Sequence, residues 1–293
     1  RNKTFKKILS IALCLALVMS YVPAISLNAF ATDGISYIDA DGIEQIYTGE
    51  YTEITLESKT LEAGWYIVNK DITMETPSDY SSNLIASGDV HLILCDGSTL
   101  TLNSKFEVST GNSLTIYGQT GSTGTLNAKS GIGAVRTGTI IINGGIINAT
   151  GPSGSMDSTG GTGSAGIGAT YKETYSSSPI QDYGYSGTIV INGGTVTAIG
   201  GGGAAGIGMS AASRYTGGST ITITGGIVNA IGGDNSGAGI GGGTYNGGHT
   251  ITITGGVISA TGGEYAPGIG TGSSGDASTI VITGGNIKSV SGG

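Results

Sequence analysis

Along residues 250–263, apolar and polar positions alternate with a period of two, break at a pair of glycines, and alternate again. Ile251 and Ile253 fall on one side of an extended chain and Thr250, Thr252 and Thr254 on the other. Beyond Gly255 and Gly256, Ile258 and Ala260 oppose Val257 and Ser259. This period in β-branched residues predicts short half-buried strands, and the glycine pair supplies the positive φ of a tight corner. The pattern recurs at 220–233, at 188–201 and, less regularly, at 139–151, and it begins again at Thr279. A Gly-Ile-Gly triplet recurs with it, at 131–133, 166–168, 206–208, 239–241 and 268–270, and adds one lone isoleucine to each copy. The first glycine of the pair stands at Gly144, Gly193, Gly225, Gly255 and Gly284, so one long interval is followed by a nearly fixed period. Helical spacing is absent from these segments, and glycines this frequent would each cost a helix about 1 kcal/mol.

Three strands and three corners in one copy predict one coil of a solenoid. A single coil cannot bury its apolar face, but coils stacked about 4.8 Å apart place like residue on like. Four inward files follow: Ile140–Ile189–Ile221–Ile251–Ile280, Ile142–Ile191–Ile223–Ile253–Ile282, Ile147–Val196–Val228–Ile258–Ile287 and Ile132–Ile167–Ile207–Ile240–Ile269. A β-sandwich would not repeat sequence and register together. The expected fold is therefore all-β: a single-stranded parallel β-helix, right-handed as parallel crossovers are by default, with an N-terminal cap.

Three segments are expected. Residues 1–31 read as a secretory signal peptide: Arg1, Lys3, Lys6 and Lys7, then an apolar run over 8–18 that is short for a membrane span, then Ala29-Phe30-Ala31 as a cleavage site. Residues 32–89 read as the cap over the open end of the tube, with Trp65 as a residue of its core rather than a ligand platform. Residues 90–293 form the β-helix. The absence of an initiating Met and a last copy that stops partway suggest a piece of a longer protein. Four of the 12 basic residues and none of the 20 acidic ones lie within 1–31, so the chain without that segment carries 8 against 20, a net charge of −12. Such a surface disfavours nucleic acid and anionic membranes as partners. Cleavage would leave Cys95 as the only cysteine, read as a packed thiol rather than a nucleophile.

Candidate binding residues are the tyrosines of the corner insertions. Tyr171, Tyr175, Tyr183 and Tyr185 lie in the long insertion after the second Gly-Ile-Gly, and Tyr215 and Tyr245 follow the next two, at equivalent places of successive copies. Aligned phenol rings suit the apolar faces and polar rims of sugars; the plainer alternative is that each ring covers its own loop. Outward files of Thr and Asn (Thr188–Thr220–Thr250–Thr279; Asn192–Thr224–Thr254) can satisfy one another as ladders, or offer a hydroxyl array to a polysaccharide. The file Ile141–Val190–Thr222–Thr252–Val281 is too mixed for an ice lattice. Asp157, Glu173, Asp182, Asp234, Glu264 and Asp276 fall in corners without repeating in register, so no facing carboxylate pair for glycoside hydrolysis is visible. His91 and His249 lack partners at metal-ligand spacing. Calcium would require Asp234 or Asp276 to join backbone carbonyls, and no other cofactor is implied.

The repeat Thr-Ile-Thr-Ile-Thr-Gly-Gly-x-Val/Ile-x-Ala-x-Gly-Gly with Gly-Ile-Gly, together with the run Val90-His91-Leu92-Ile93-Leu94-Cys95-Asp96-Gly97-Ser98-Thr99-Leu100, resembles the Gly-rich β-helix repeats of secreted and surface proteins of Clostridia-like bacteria, over residues 90–293. Some of these are classed as carbohydrate-binding domain proteins. The resemblance implies a right-handed parallel β-helix like that of polysaccharide lyases, a plant or microbial polysaccharide ligand, and calcium in some members. Calcium-binding relatives carry Asp-Gly-Ile at the corner, whereas here Ser130, Ala165, Ala205, Ala238 or Pro267 precedes Gly-Ile. The expectation is a secreted, extracellular or wall-associated polysaccharide-binding module without catalytic residues; a structural stalk and a pectinase-like enzyme are the rivals.

Overall fold

The computed structural model describes residues 34–292 apart from 79–81, 154–155, 158–159, 162, 170–186 and 212–216. The proposed leader lies outside these residues. The chain winds as a right-handed parallel β-helix with three faces per coil. In the coil Thr250–Ile253, Val257–Thr261, Ile269–Gly270, the first strand pairs in parallel with Thr220–Ile223 below it and Thr279–Ile282 above. The second pairs with Ile227–Ile231 and Asn286–Val290, and the third with Ile240–Gly241.

The four isoleucine files form as the alternation predicts. Ile140, Ile189, Ile221, Ile251 and Ile280 are Cα partners without a register shift, and so are the members of the other three files. A one-residue slip would turn each file out to solvent, so burial itself pins the register. From Ile140 to Ile253 the files on the first face are fully buried, each side chain contributing roughly 1.5–3 kcal/mol on removal from water. Ile280 and Ile282 keep the register but are 42% and 49% exposed, because no described coil stacks on them. Alanines (Ala149, Ala198, Ala230, Ala260) form a fifth inward file on the second face. Phe106 continues the third-face isoleucine file toward the N-terminus, so the early coils put an aromatic ring inside the tube.

Two glycine positions are dictated by the stacking. The second glycine of each pair (Gly194, Gly226, Gly256) has φ of 82° to 90°, the left-handed corner conformation. On the third face Gly168, Gly208, Gly241 and Gly270 have φ of 129° to 147°, and a Cβ on Gly208 would lie 1.9 Å from the Gly241 carbonyl oxygen. The Gly-Ile-Gly triplet therefore follows from coil packing: Ile fills the tube while the next Gly lets the neighbouring backbone approach.

Parallel winding reaches further toward the N-terminus than residue 90. Tyr51–Glu53 pairs with Trp65–Ile67, and these with His91–Ile93. Thr60–Val68 and Leu84–Leu94 each run unbroken across the third-to-first corner, which they turn at Gly64 and Gly88. Tyr66 packs at that end of the core and its hydroxyl donates to the Glu62 carbonyl at 3.0 Å. Ahead of these coils, Ile35–Ile38 and Glu44–Tyr47 form an antiparallel hairpin. Asp39 holds its turn, accepting from the amides of Ile43 (2.9 Å) and Asp41 (3.0 Å) and from Gln45 Nε2 (2.8 Å). The Ile43 amide is the largest reason its carboxyl lies below the usual range.

Candidate functional site

The outer side of the first face carries a regular array. Pointing away from the tube, each coil offers three side chains: Thr220, Thr222 and Thr224 in one, Thr250, Thr252 and Thr254 in the next, in matched register. Toward the N-terminus the third file becomes amide: Asn192 Nδ2 donates to Asn143 Oδ1 at 2.9 Å, and Thr224 Oγ1 donates to Asn192 Oδ1 at 2.8 Å. This is the self-satisfying ladder the sequence allows. It stops at Thr224, and the hydroxyls of Thr220, Thr222, Thr250, Thr252 and Thr254 have no partner among the described residues. The middle file is Ile141–Val190–Thr222–Thr252–Val281, as expected from the spacing. A comparable amide ladder on the second face links Asn148 to Asn127 (2.9 Å) and Asn127 to Thr101 (3.3 Å). Beside it Ile227 and Val257 stand exposed.

Of the loop tyrosines, Tyr171, Tyr175, Tyr183, Tyr185 and Tyr215 lie outside the described residues. Tyr245 is 46% exposed at the third-to-first corner, with φ of 63°. Its amide donates to the Ser273 carbonyl at 2.8 Å. Tyr265, which the alignment of copies does not single out, is exposed at another corner, also with positive φ.

The main aromatic cluster sits elsewhere and is non-local. On the outer side of the early first-face coils, Trp65 stacks with Tyr47 (centroids 4.2 Å, 19°), His91 (4.4 Å, 10°) and Tyr117 (5.3 Å, 18°), with Tyr37 tilted against it at 5.1 Å. Tyr37 and Tyr47 come from the hairpin, so this cluster fastens the hairpin to the coils. Gln119 Nε2 adds a hydrogen bond to the Ser36 carbonyl at 3.0 Å. His91 Nδ1 lies 2.9 Å from the Tyr117 hydroxyl, and its Nε2 lies 3.5 Å from Asp89. Burial pushes the Tyr117 phenol up to about 12, with the neighbouring Tyr37 and Asp89 adding to it. Trp65 is half-buried and engaged by protein rings, which suits a packing role outside the tube rather than an open platform.

Neither remaining lone group is arranged for chemistry. Cys95 is half-buried beside this cluster, and its thiol is pushed up to about 11, first by desolvation and then by Asp96 and Glu53. A thiol held protonated is a poor nucleophile. His249 is 1% exposed; its Nδ1 accepts from the Ser219 amide at 3.0 Å, which places the ring proton on Nε2. Burial lowers its pKa to about 4. Asp234, Glu264 and Asp276 are corner residues, Glu173 and Asp182 lie outside the described residues, and of Asp157 the backbone alone is described. Among the described residues no three His, Cys, Asp or Glu side chains group as metal ligands. A cleft of about 440 Å³ at the N-terminal coils is lined by Leu56, Glu57, Lys70 and Asp71. Two of its charged residues are engaged locally: Lys70 pairs with Glu53 at 3.7 Å and Asp71 accepts from the Thr99 amide at 2.9 Å.

Residues 189–211, 221–244 and 251–273 match a family model described as a beta helix repeat. Each matched stretch begins at the first inward isoleucine of a coil and covers all three faces. No curated protein and no solved structure matches the chain. The match and the ladder register agree: this is a parallel β-helix protein. No helix among the described residues is long and apolar enough to cross a membrane.

Proposed function

We propose that the chain is a secreted, non-catalytic polysaccharide-binding module of a bacterial cell-surface or extracellular protein. The observation that carries this reading is the outer side of the first face from Thr139 onward, where the outward side chains are uncharged and threonine hydroxyls without partners among the described residues recur in register from coil to coil. Each threonine presents a methyl and a hydroxyl at a χ1 that β-branching keeps stiff, which suits the mixed apolar and hydroxyl surface of a sugar chain at low entropic cost. The leader-like pattern of residues 1–31 supports export. Retention of the purified protein on insoluble polysaccharides and on a glycan array tests the proposal, and failure to bind any glycan refutes it.

A structural stalk is the second reading, favoured by the Asn143–Asn192–Thr224 ladder, whose polar groups serve one another. A stalk predicts no glycan retention at all together with an unchanged melting profile in the presence of polysaccharide.

A further inference from the structure

We infer that the ligand is a neutral polysaccharide lying lengthwise along the helix axis on the first face; this rests on the polysaccharide-binding reading and deepens it. Every outward position of the first face between Thr139 and Thr283 is Thr, Asn, Ile or Val. Among the described residues of that stretch and beyond, the one Lys or Arg side chain is Lys288, and it stands on the second face. Among the described residues of that face a uronate chain would meet no Lys or Arg side chain, and it would approach a molecule of net charge −8, or −12 without residues 1–31. A chain of uncharged sugars meets no such penalty.

Across the face each strand offers three outward side chains and then ends, at the Gly-Gly corner on one side and at the third-to-first corner on the other. Along the axis the same triplet returns at every coil, about 4.8 Å further on. Five strands, starting at Thr139, Thr188, Thr220, Thr250 and Thr279, are stacked in this way, a run of roughly 19 Å at that spacing. A polymer lying along the axis repeats its contacts coil after coil; one lying across it runs out of partners within a single coil. On its N-terminal side the middle file passes from Ile141 to Thr115, which is buried, in the strand whose Tyr117 packs against Tyr37 of the hairpin. The two hydroxyls at its centre, Thr222 and Thr252, have no partner among the described residues.

The contacts are additive along the axis, so affinity should grow with ligand length until the run is filled. Calorimetric titration with neutral cello- and xylo-oligosaccharides, from disaccharide to hexasaccharide, should show at least a tenfold gain (roughly 1.4 kcal/mol). Oligogalacturonates of the same lengths should bind about tenfold more weakly or not at all, and raising the salt should leave the neutral series unchanged. The Thr222→Lys/Thr252→Lys variant should lose neutral-ligand binding, whereas Ile227→Lys on the second face should keep it. Thr222→Val/Thr252→Val, which preserves shape and β-propensity, covers the case in which the lysine pair does not fold.

Binding that survives both first-face variants but disappears in Tyr215→Ala/Tyr245→Ala would overturn this inference and leave the polysaccharide reading standing. A preference for oligogalacturonate, or affinity independent of length, would overturn the neutral axial ligand. Absence of binding to any glycan, with or without thermal hysteresis in freezing solutions, would overturn both.

Discussion

Mild acid should loosen the corner at His249 before it affects the rest of the tube, and the size of the effect follows from where the ring sits. Nδ1 accepts the Ser219 amide proton at 3.0 Å, and the side chain is sealed from solvent. Protonating the ring would bury a charge and set an N–H against an N–H. The folded pKa is accordingly lowered to about 4 from the ordinary 6.5. The unfolded chain therefore takes up a proton first as the pH falls. The contribution is fully present above 6.5, declines through the window from 6.5 to 4, and is fully lost below 4. At pH 5 the linkage integral is about 2 kcal/mol, and its limit is about 3 kcal/mol at roughly 1.36 kcal/mol per unit.

The control is His249→Ser, because Ser219 and Ser278 occupy the same place in the coils on either side. Contacts in a solenoid run between neighbouring coils, so the loss should be local; hydrogen exchange at the Ser219 and Thr250 amides reads it more directly than a global melt. From pH 7.5 to 5 the Thr250 amide, which donates to the Ser219 carbonyl, should lose about 2 kcal/mol of protection in the wild type and almost none in the variant. Carboxylates held low titrate alike in both proteins and cancel in the difference; examples are Asp39, held by the Ile43 amide, and Asp96, whose desolvation is outweighed by the amides of Thr123 and Gly121. Equal pH dependence in the two proteins would show that the ring is not buried neutral, and the reasoning would fail.

Further predictions rest on other parts of the tube. Gly208→Ala would place a methyl 1.9 Å from the Gly241 carbonyl and should cost on the order of 3 kcal/mol or abolish soluble expression. Gly248→Ala, with φ of 73° and open space around it, should cost only about 1 kcal/mol in thermal denaturation. Trp65→Ala removes the stacks with Tyr47, His91 and Tyr117 and should destabilise by about 2–3 kcal/mol, releasing the hairpin to limited proteolysis near Glu50. With its thiol near 11, Cys95 should be about one part in a thousand thiolate at pH 8, and its alkylation rate should climb about tenfold per pH unit up to pH 10 without a plateau.

What could be read from the chain beforehand tracks how local the responsible physics is. Ile251 and Ile253 disclose a strand because their alternation with threonine is visible within the strand itself, and their partners are disclosed because Ile221 and Ile223 repeat the pattern in the preceding copy. The third-face glycine was visible as a recurrent triplet, although its reason, the approach of the Gly241 carbonyl to Gly208, belongs to the stacked coils. The early coils escape the same treatment. Tyr51, Trp65 and His91 stand in one outward file but share no residue type, and their spacing along the chain is unequal. The cluster around Trp65 joins the hairpin at Tyr37 and Tyr47 to Tyr117, contacts that no periodicity encodes. A faint signal for His249 did exist: it holds a place that is serine in the adjacent copies, so a ring there must either be sheltered by the corner or disrupt it.

The division between inward and outward positions bears on the proposed binding role. Inward positions are constrained by their neighbours above and below, so Ile221, Ile251 and the glycines between faces leave little latitude. Outward positions of the first face are not packed inside the tube, yet in two successive coils all three are threonine, Thr220, Thr222 and Thr224 and then Thr250, Thr252 and Thr254. Ladder formation alone would be met by the amide pattern of Asn143 and Asn192, which closes its own hydrogen bonds. Past Thr224, whose hydroxyl still donates to Asn192, the threonine hydroxyls do not pair among the described residues and recur coil after coil. Under the proposed polysaccharide-binding reading these hydroxyls are the groups a sugar chain would meet, whereas a stalk would leave them to solvent, so glycan retention by the wild type and its loss in Thr222→Lys/Thr252→Lys is the result that separates the two.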